Sequence, residues 1–101
     1  MDNAKKISLQ CQIVQSKGNI VSDMDGEKVM LNVQKGKYYN LGEIGGEIWD
    51  AISKPIQVNQ LIDLLLSNYN IGQLECENQV LPYLDRLVHE NIIHIVEESH
   101  T

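Results

Sequence analysis

The chain has 101 residues, 43% hydrophobic and 22% charged, which suits a single folded domain (residues 1–101) with a modest core. Its net charge of −6 is uneven, because residues 1–41 carry six lysines against four acidic residues, whereas residues 42–101 carry two basic against ten acidic residues. No apolar run approaches the roughly 18 residues of a membrane span, and no apolar segment follows the N-terminal lysines as in a secretory signal, so we expect a cytoplasmic protein.

The first half of the chain has the period-2 alternation of short β-strands. Residues 7–13 predict a strand with one buried face, and residues 20–24 predict a second strand followed by an Asp-Gly turn. In residues 29–33 the odd-numbered side chains are apolar, which predicts a half-buried strand with that face inward. A break ending in Gly36, expected at positive φ, leads to a fourth strand at residues 37–41. The last three strands form an antiparallel meander.

A first helix is expected to begin at Gly42 and to end before Pro55. Its isoleucines recur every four residues on one face, with Trp49 beside them. Gly45 and Gly46 each cost roughly 1 kcal/mol against alanine inside a helix. Such a cost indicates that another backbone lies close to that turn.

The second half reads as two more helices and a strand. An apolar stripe predicts a helix over residues 58–68, and a third helix is expected over residues 73–90. Pro82 lies inside the third helix, so the helix either kinks there or splits in two; the apolar spacing continues in phase across it and favours a kink. Residues 92–96 predict a short wing strand. We therefore expect an α+β winged helix-turn-helix with an N-terminal antiparallel β-meander, three helices and a short C-terminal strand.

No constellation of catalytic or metal-ligating residues is evident. The three histidines lack zinc-site spacing, and there is no phosphate-binding loop, nucleophile elbow or H-E-x-x-H motif. Cys11 and Cys76 form no C-x-x-C pair, lie among apolar residues and are expected to be buried thiols. The sequence thus predicts a binding module without enzymatic activity, cofactor or metal.

The stretch V-x-L-N-V-x-x-G-K-Y-Y-x-L-x-x-x-G-x-x-I-W, over residues 29–49, resembles the PqqD-like family, and the similarity extends over about residues 20–96. Members are small winged-helix domains, also called RiPP recognition elements, that bind leader peptides of ribosomally synthesised, modified peptides. The length and the Tyr-Tyr strand are most like the stand-alone lasso-peptide biosynthesis type. The resemblance implies that this chain binds the leader of a precursor peptide.

Two classes of partner compete on the residues alone. A winged helix that binds DNA needs cations for the phosphates, but the third helix has one arginine among several acidic residues and would repel them. A strand at a sheet edge can instead pair with an extended peptide. Its tyrosines, each with an apolar ring and a polar hydroxyl, suit a groove that is partly exposed to water. We expect Tyr39, which shares the parity of Leu41, to contact the core more than Tyr38 does. Peptide binding is favoured over a DNA-binding regulator, and the acidic helix favours leaders with a lysine or arginine.

The resemblance also implies where the leader binds: between the last hairpin strand and the third helix. Carried onto this chain, the expected peptide-binding residues are Lys37, Tyr38, Tyr39, Asn40, Leu41, Glu77, Val80, Leu81, Leu84 and Asp85. The implied partners in lasso-peptide biosynthesis are a transglutaminase-like leader peptidase and then a cyclase. The alternative is a peptide chaperone for a radical SAM enzyme, as in pyrroloquinoline quinone synthesis. Neither nucleic acid nor membrane is expected as a partner.

Overall fold

The computed structural model describes residues 7–96, which form six strands and three helices. In chain order these are β1 (Gln12–Gln15), β2 (Asn19–Met24), β3 (Glu27–Asn32), β4 (Lys37–Asn40), α1 (Gly42–Ala51), β5 (Ile56–Gln57), α2 (Val58–Asn68), α3 (Gln73–His89) and β6 (Ile93–Val96). This is the expected α+β order, with a meander, three helices and a C-terminal strand. None of the three helices within the described residues is both long and apolar enough to cross a membrane.

The described strands form two three-stranded sheets, ordered β5-β1-β6 and β2-β3-β4. The second sheet is the predicted meander. In the first, β1 pairs with β6 from the far end of the chain, with Ile13 opposite Ile95. The expected strand over residues 7–13 is wrong in its first part, because the chain turns before β1 and the Cys11 N–H donates to the Ser8 carbonyl at 3.2 Å. The Leu9 carbonyl in that turn accepts the Asn59 N–H at the start of α2 instead of a strand partner.

The buried face of β3 is the opposite of the one that its hydropathy predicts. Met30 is fully buried and Asn32 is 6% exposed, whereas Val33 is 56% exposed and lies beyond the strand. The buried polar residue on this face has partners: the Asn32 side chain donates to Asn19 Oδ1 at 2.7 Å and accepts the Lys35 N–H at 2.8 Å. Because a buried polar group with hydrogen bonds costs little, hydropathy alone misassigned the face.

The three helices enclose the core against the meander and β1. Ile48 and Trp49 of α1 are buried with apolar residues of α2, α3 and both sheets. The close contacts at Gly45 and Gly46 are side chains and not the backbone that the sequence predicted: Tyr83 lies against Gly45, and the Lys28 side chain lies against Gly46. Helix α3 continues through Pro82 as one element, which excludes the two-piece alternative.

Candidate functional site: a groove between β4 and α3

Strand β4 is the outer strand of the meander, since it pairs with β3 and has no strand on its other side among the described residues. Tyr39 pairs with Met30, and the Leu41 N–H donates to the Lys28 carbonyl at 2.9 Å. In an antiparallel pair, hydrogen-bonded residues alternate along the strand. The backbone N–H and C=O groups of Tyr38 and Asn40 therefore point away from β3, towards the free edge.

The two tyrosines of β4 differ in burial as the sequence predicted. Tyr39 is half-buried and packs against the core, while Tyr38 is 73% exposed. The Tyr39 hydroxyl donates to Glu90 Oε1, at the end of α3, at 2.7 Å. This bond joins the free-edge strand to the helix that faces it.

A cavity of about 510 Å³ lies where β4 runs into α1. Helix α1 forms one wall, the end of α2 and the following turn form another, and α3 closes it. Its lining residues are Leu41, Gly42, Glu43, Ile44, Gly45, Ile48, Leu65, Tyr69, Ile71, Cys76, Gln79, Val80 and Tyr83. We call it the first cavity. Because most of these side chains are apolar, it suits a large apolar group.

A second cavity of about 280 Å³ continues along β4 towards its beginning. It is lined by Tyr38, Tyr39, Asn40, Leu41, Tyr83, Arg86, Leu87, Glu90 and Ile92. Leu41 and Tyr83 line both cavities, so they form the partition between them. The two cavities and the free edge of β4 together make one groove, which we call the β4–α3 groove.

Charged groups at the second cavity hold its geometry. The hydrogen bond from Tyr39, helped by nearby Lys35, Lys37 and Arg86, lowers the pKa of the Glu90 carboxyl below its ordinary value of 4.5. The same bond raises the pKa of the Tyr39 hydroxyl. The carboxylate is therefore ionised and the tyrosine is neutral at physiological pH, which is the pairing that the hydrogen bond needs.

Acidic groups lie at the rim of the first cavity. Burial, and then the carboxylates of Glu43 and Glu47, raise the pKa of the Tyr69 hydroxyl to about 12. Glu47 also accepts a hydrogen bond from the Asn68 side chain. Burial raises the pKa of the Cys76 thiol in the cavity wall, which keeps it neutral.

The structure brings together part of the predicted site. Four of the five expected β4 residues, Tyr38 to Leu41, line the groove, and Lys37 begins the strand. On α3, Val80 lines the first cavity, but Leu84 is fully buried. The other expected α3 residues, Glu77, Leu81 and Asp85, line neither cavity. A peptide contact by any of the ten expected residues, including these four, remains a prediction.

Sequence reasoning missed the α3 residues that do face the groove: Gln79, Tyr83, Arg86, Leu87 and Glu90. Gln79 precedes Val80, the others follow it at helical spacing on a face rotated by about one residue from the expected one, and Glu90 lies just after the end of α3. The aromatic Tyr83, three residues after Val80, was the available signal. Within residues 7–96, no three His, Cys, Asp or Glu side chains are grouped as a metal site would require.

Comparisons with known proteins agree with this architecture. A solved structure, "TbiB1 in Complex with the TbiA(beta) Leader Peptide", is similar with a TM-score of 0.71 and 20% sequence identity, over 86% of this chain and 99% of that chain. No curated protein sequence matches the chain. The family model Coenzyme PQQ synthesis protein D (PqqD) matches residues 27–93, about two thirds of the chain, and includes the whole β4–α3 groove. The chain therefore belongs to the PqqD family.

Proposed function

We propose that the chain binds an extended segment of a peptide, the leader region of a ribosomally synthesised precursor, as an added strand on β4. One observation carries the proposal: the outward backbone groups of Tyr38 and Asn40 lie at a free sheet edge that borders two cavities. In strand addition, backbone pairing gives affinity and pockets select alternate side chains. The fold similarity to TbiB1, whose structure contains a leader peptide, supports this choice of ligand.

The two cavities differ in what they would select. The first is large and mostly apolar, and it accepts a bulky apolar side chain. The second is smaller and is bordered by Tyr39, Arg86 and Glu90, so it accepts a side chain with a polar end. Backbone pairing and two anchors, less the cost of ordering the peptide, give an expected affinity from micromolar to nanomolar, roughly −8 to −12 kcal/mol.

In this proposal the protein is not itself an enzyme; it holds the leader for one. The resemblance drawn from the sequence favours a transglutaminase-like leader peptidase, followed by a cyclase, in lasso-peptide biosynthesis. The family description, Coenzyme PQQ synthesis protein D, supports the alternative, a radical SAM enzyme. Copurification distinguishes the two alternatives. The tagged protein, with the leader present, is mixed with the enzymes encoded beside its gene, and the enzyme that it serves should copurify with it.

The test is a titration of ¹⁵N-labelled protein with the leader of the precursor encoded beside its gene. We expect chemical-shift changes on β4 and on the Val80–Tyr83–Leu87 face of α3. Shift changes confined to α2 or β6 would contradict the proposal.

A pair of variants at one position isolates the backbone contribution. Tyr38→Pro removes an N–H that points to the free edge, and it leaves the bonds between β3 and β4 in place. Tyr38→Ala removes the same side chain but keeps the N–H. We expect the proline variant to bind the leader about 1–3 kcal/mol more weakly than the alanine variant, because the peptide carbonyl loses its donor. Equal affinities of two folded variants would show that β4 is not the pairing edge.

A further inference from the structure

The end of the groove where β4 begins is basic. Lys37 is the first residue of β4 and is exposed. The Lys35 ammonium donates to the Glu90 carbonyl at 2.7 Å, and Arg86 Nε lies 3.9 Å from Glu90 Oε2. Lys35, Lys37 and Arg86 are the cations that act on the Glu90 carboxylate, which already accepts the Tyr39 hydroxyl. The excess of positive charge remains available to a ligand at this end.

The end of the groove where β4 passes into α1 is acidic. Glu43 lines the first cavity from the first turn of α1, and it is exposed. Glu47 lies one turn further along the helix, and both carboxylates act on Tyr69 in the cavity wall. Among the described residues that line the first cavity there is no lysine or arginine. No cation there offsets the two carboxylates.

The two ends are far enough apart to act separately. Strand β4, Lys37–Asn40, spans about 10 Å at about 3.3 Å per residue, and Leu41 and Gly42 separate it from Glu43. The Debye length at physiological ionic strength is about 8 Å. A charged side chain of the ligand at one end therefore interacts mainly with the protein charges of that end.

We propose that the groove selects peptides by the order of their charges, with an acidic side chain over Lys37 and Arg86 and a basic side chain over Glu43 and Glu47. The inference rests on the proposed function and specifies the peptide class for that same site. It replaces the simpler expectation that an acidic α3 favours cationic leaders, because the charged residues that border the groove from this side are Arg86 of α3 and Glu90, just after the helix.

The probe is a displayed library of random 16-residue peptides, selected on the folded wild-type protein and on the double variant Lys37→Glu/Glu43→Lys. We expect wild-type selection to enrich apolar anchors with acidic residues towards one terminus and basic residues towards the other. The double variant should enrich the reverse order, because charge complementarity contributes more to specificity than to affinity. Two controls, Lys54→Glu and Asp63→Lys, change exposed charges that line neither cavity and should leave the wild-type order unchanged.

Affinities and a spin label complete the test. For a selected peptide, Lys37→Glu or Glu43→Lys alone should raise the Kd about 3- to 10-fold at low salt, with a smaller effect at 0.5 M NaCl. A nitroxide on the acidic terminus should broaden the amide signals of Lys37 and Arg86 more strongly than that of Glu43, because the broadening falls steeply with distance. Enriched anchors without charge order, or stronger broadening at Glu43 than at Lys37 and Arg86, would overturn this inference but leave the proposed function intact. If neither the library nor the leader of the neighbouring precursor binds, the proposed function fails and this inference fails with it.

Discussion

The contact between Gly45 and Tyr83 gives a sharp test of how the groove is built. A Cβ at Gly45 would lie 2.6 Å from the Tyr83 hydroxyl oxygen and 3.3 Å from Leu41 Cβ. These are the two residues that separate the cavities. Alanine at this position must displace the tyrosine ring, and the partition of the groove moves with it.

The expected effect of Gly45→Ala combines two opposing terms. Alanine gains about 1 kcal/mol over glycine inside a helix. Overpacking a tight contact costs about 1–3 kcal/mol. We expect a net loss of about 0–2 kcal/mol in the free energy of unfolding by urea denaturation. Leader affinity should fall by about 1 kcal/mol or more, roughly fivefold in Kd, because Tyr83 shifts into a cavity.

Two further variants make the result specific. Tyr83→Phe removes the oxygen, so Gly45→Ala should cost about 1–2 kcal/mol less in that background than in the wild type. Gly46→Ala is the matched control: its Cβ would lie 2.9 Å from Lys28 Cδ, part of a flexible side chain away from both cavities, so leader affinity should not change. If Gly45→Ala stabilises the wild type by about 1 kcal/mol and leaves the Kd unchanged, Tyr83 does not lie against Gly45.

Other predictions concern the core and the junction of β4 with α3. Trp49 is 8% exposed, so Trp49→Ala should lower the free energy of unfolding in urea by about 3–5 kcal/mol. The control Tyr38→Ala, at a 73% exposed position, should lower it by about 0.5 kcal/mol or less. Equal losses would contradict the burial of the tryptophan. The folded pKa of Glu90 is lowered from its ordinary 4.5, so its contribution to stability is present above that pH and is lost as pH falls through the folded value. The difference in urea midpoint between wild type and Glu90→Gln should therefore shrink on acidification below about pH 4.5, and the difference for Tyr39→Phe should shrink likewise. A difference that is constant with pH would exclude the Tyr39–Glu90 hydrogen bond as its cause.

The sequence predicted the elements well where local pattern determines them. Helix α2 has the expected bounds, because its apolar stripe and the turn residues on either side of it determine where the helix begins and ends. Gly26 and Gly36 have the positive φ that their hairpin turns require. The free edge of β4 also followed from pattern, since a meander of three strands places its last strand outside.

Longer-range features could not be predicted from local pattern. The pairing of β1 with β6 joins residues about eighty positions apart, and no period in either strand indicates its partner. The buried face of β3 depends on Asn19, which satisfies the buried amide of Asn32. On α3, apolar residues occur on several sides, so spacing alone did not show that Leu84 packs inward while Tyr83 faces the groove.

Amide hydrogen exchange along β4 tests strand addition most directly. In the protein without ligand, the N–H groups of Tyr39 and Leu41 point to β3 and should be protected, while those of Tyr38 and Asn40 point to the free edge and should exchange fast. Saturating leader peptide should slow exchange at Tyr38 and Asn40 selectively, because each gains a backbone partner. Fast exchange at both positions in the saturated complex would contradict the account.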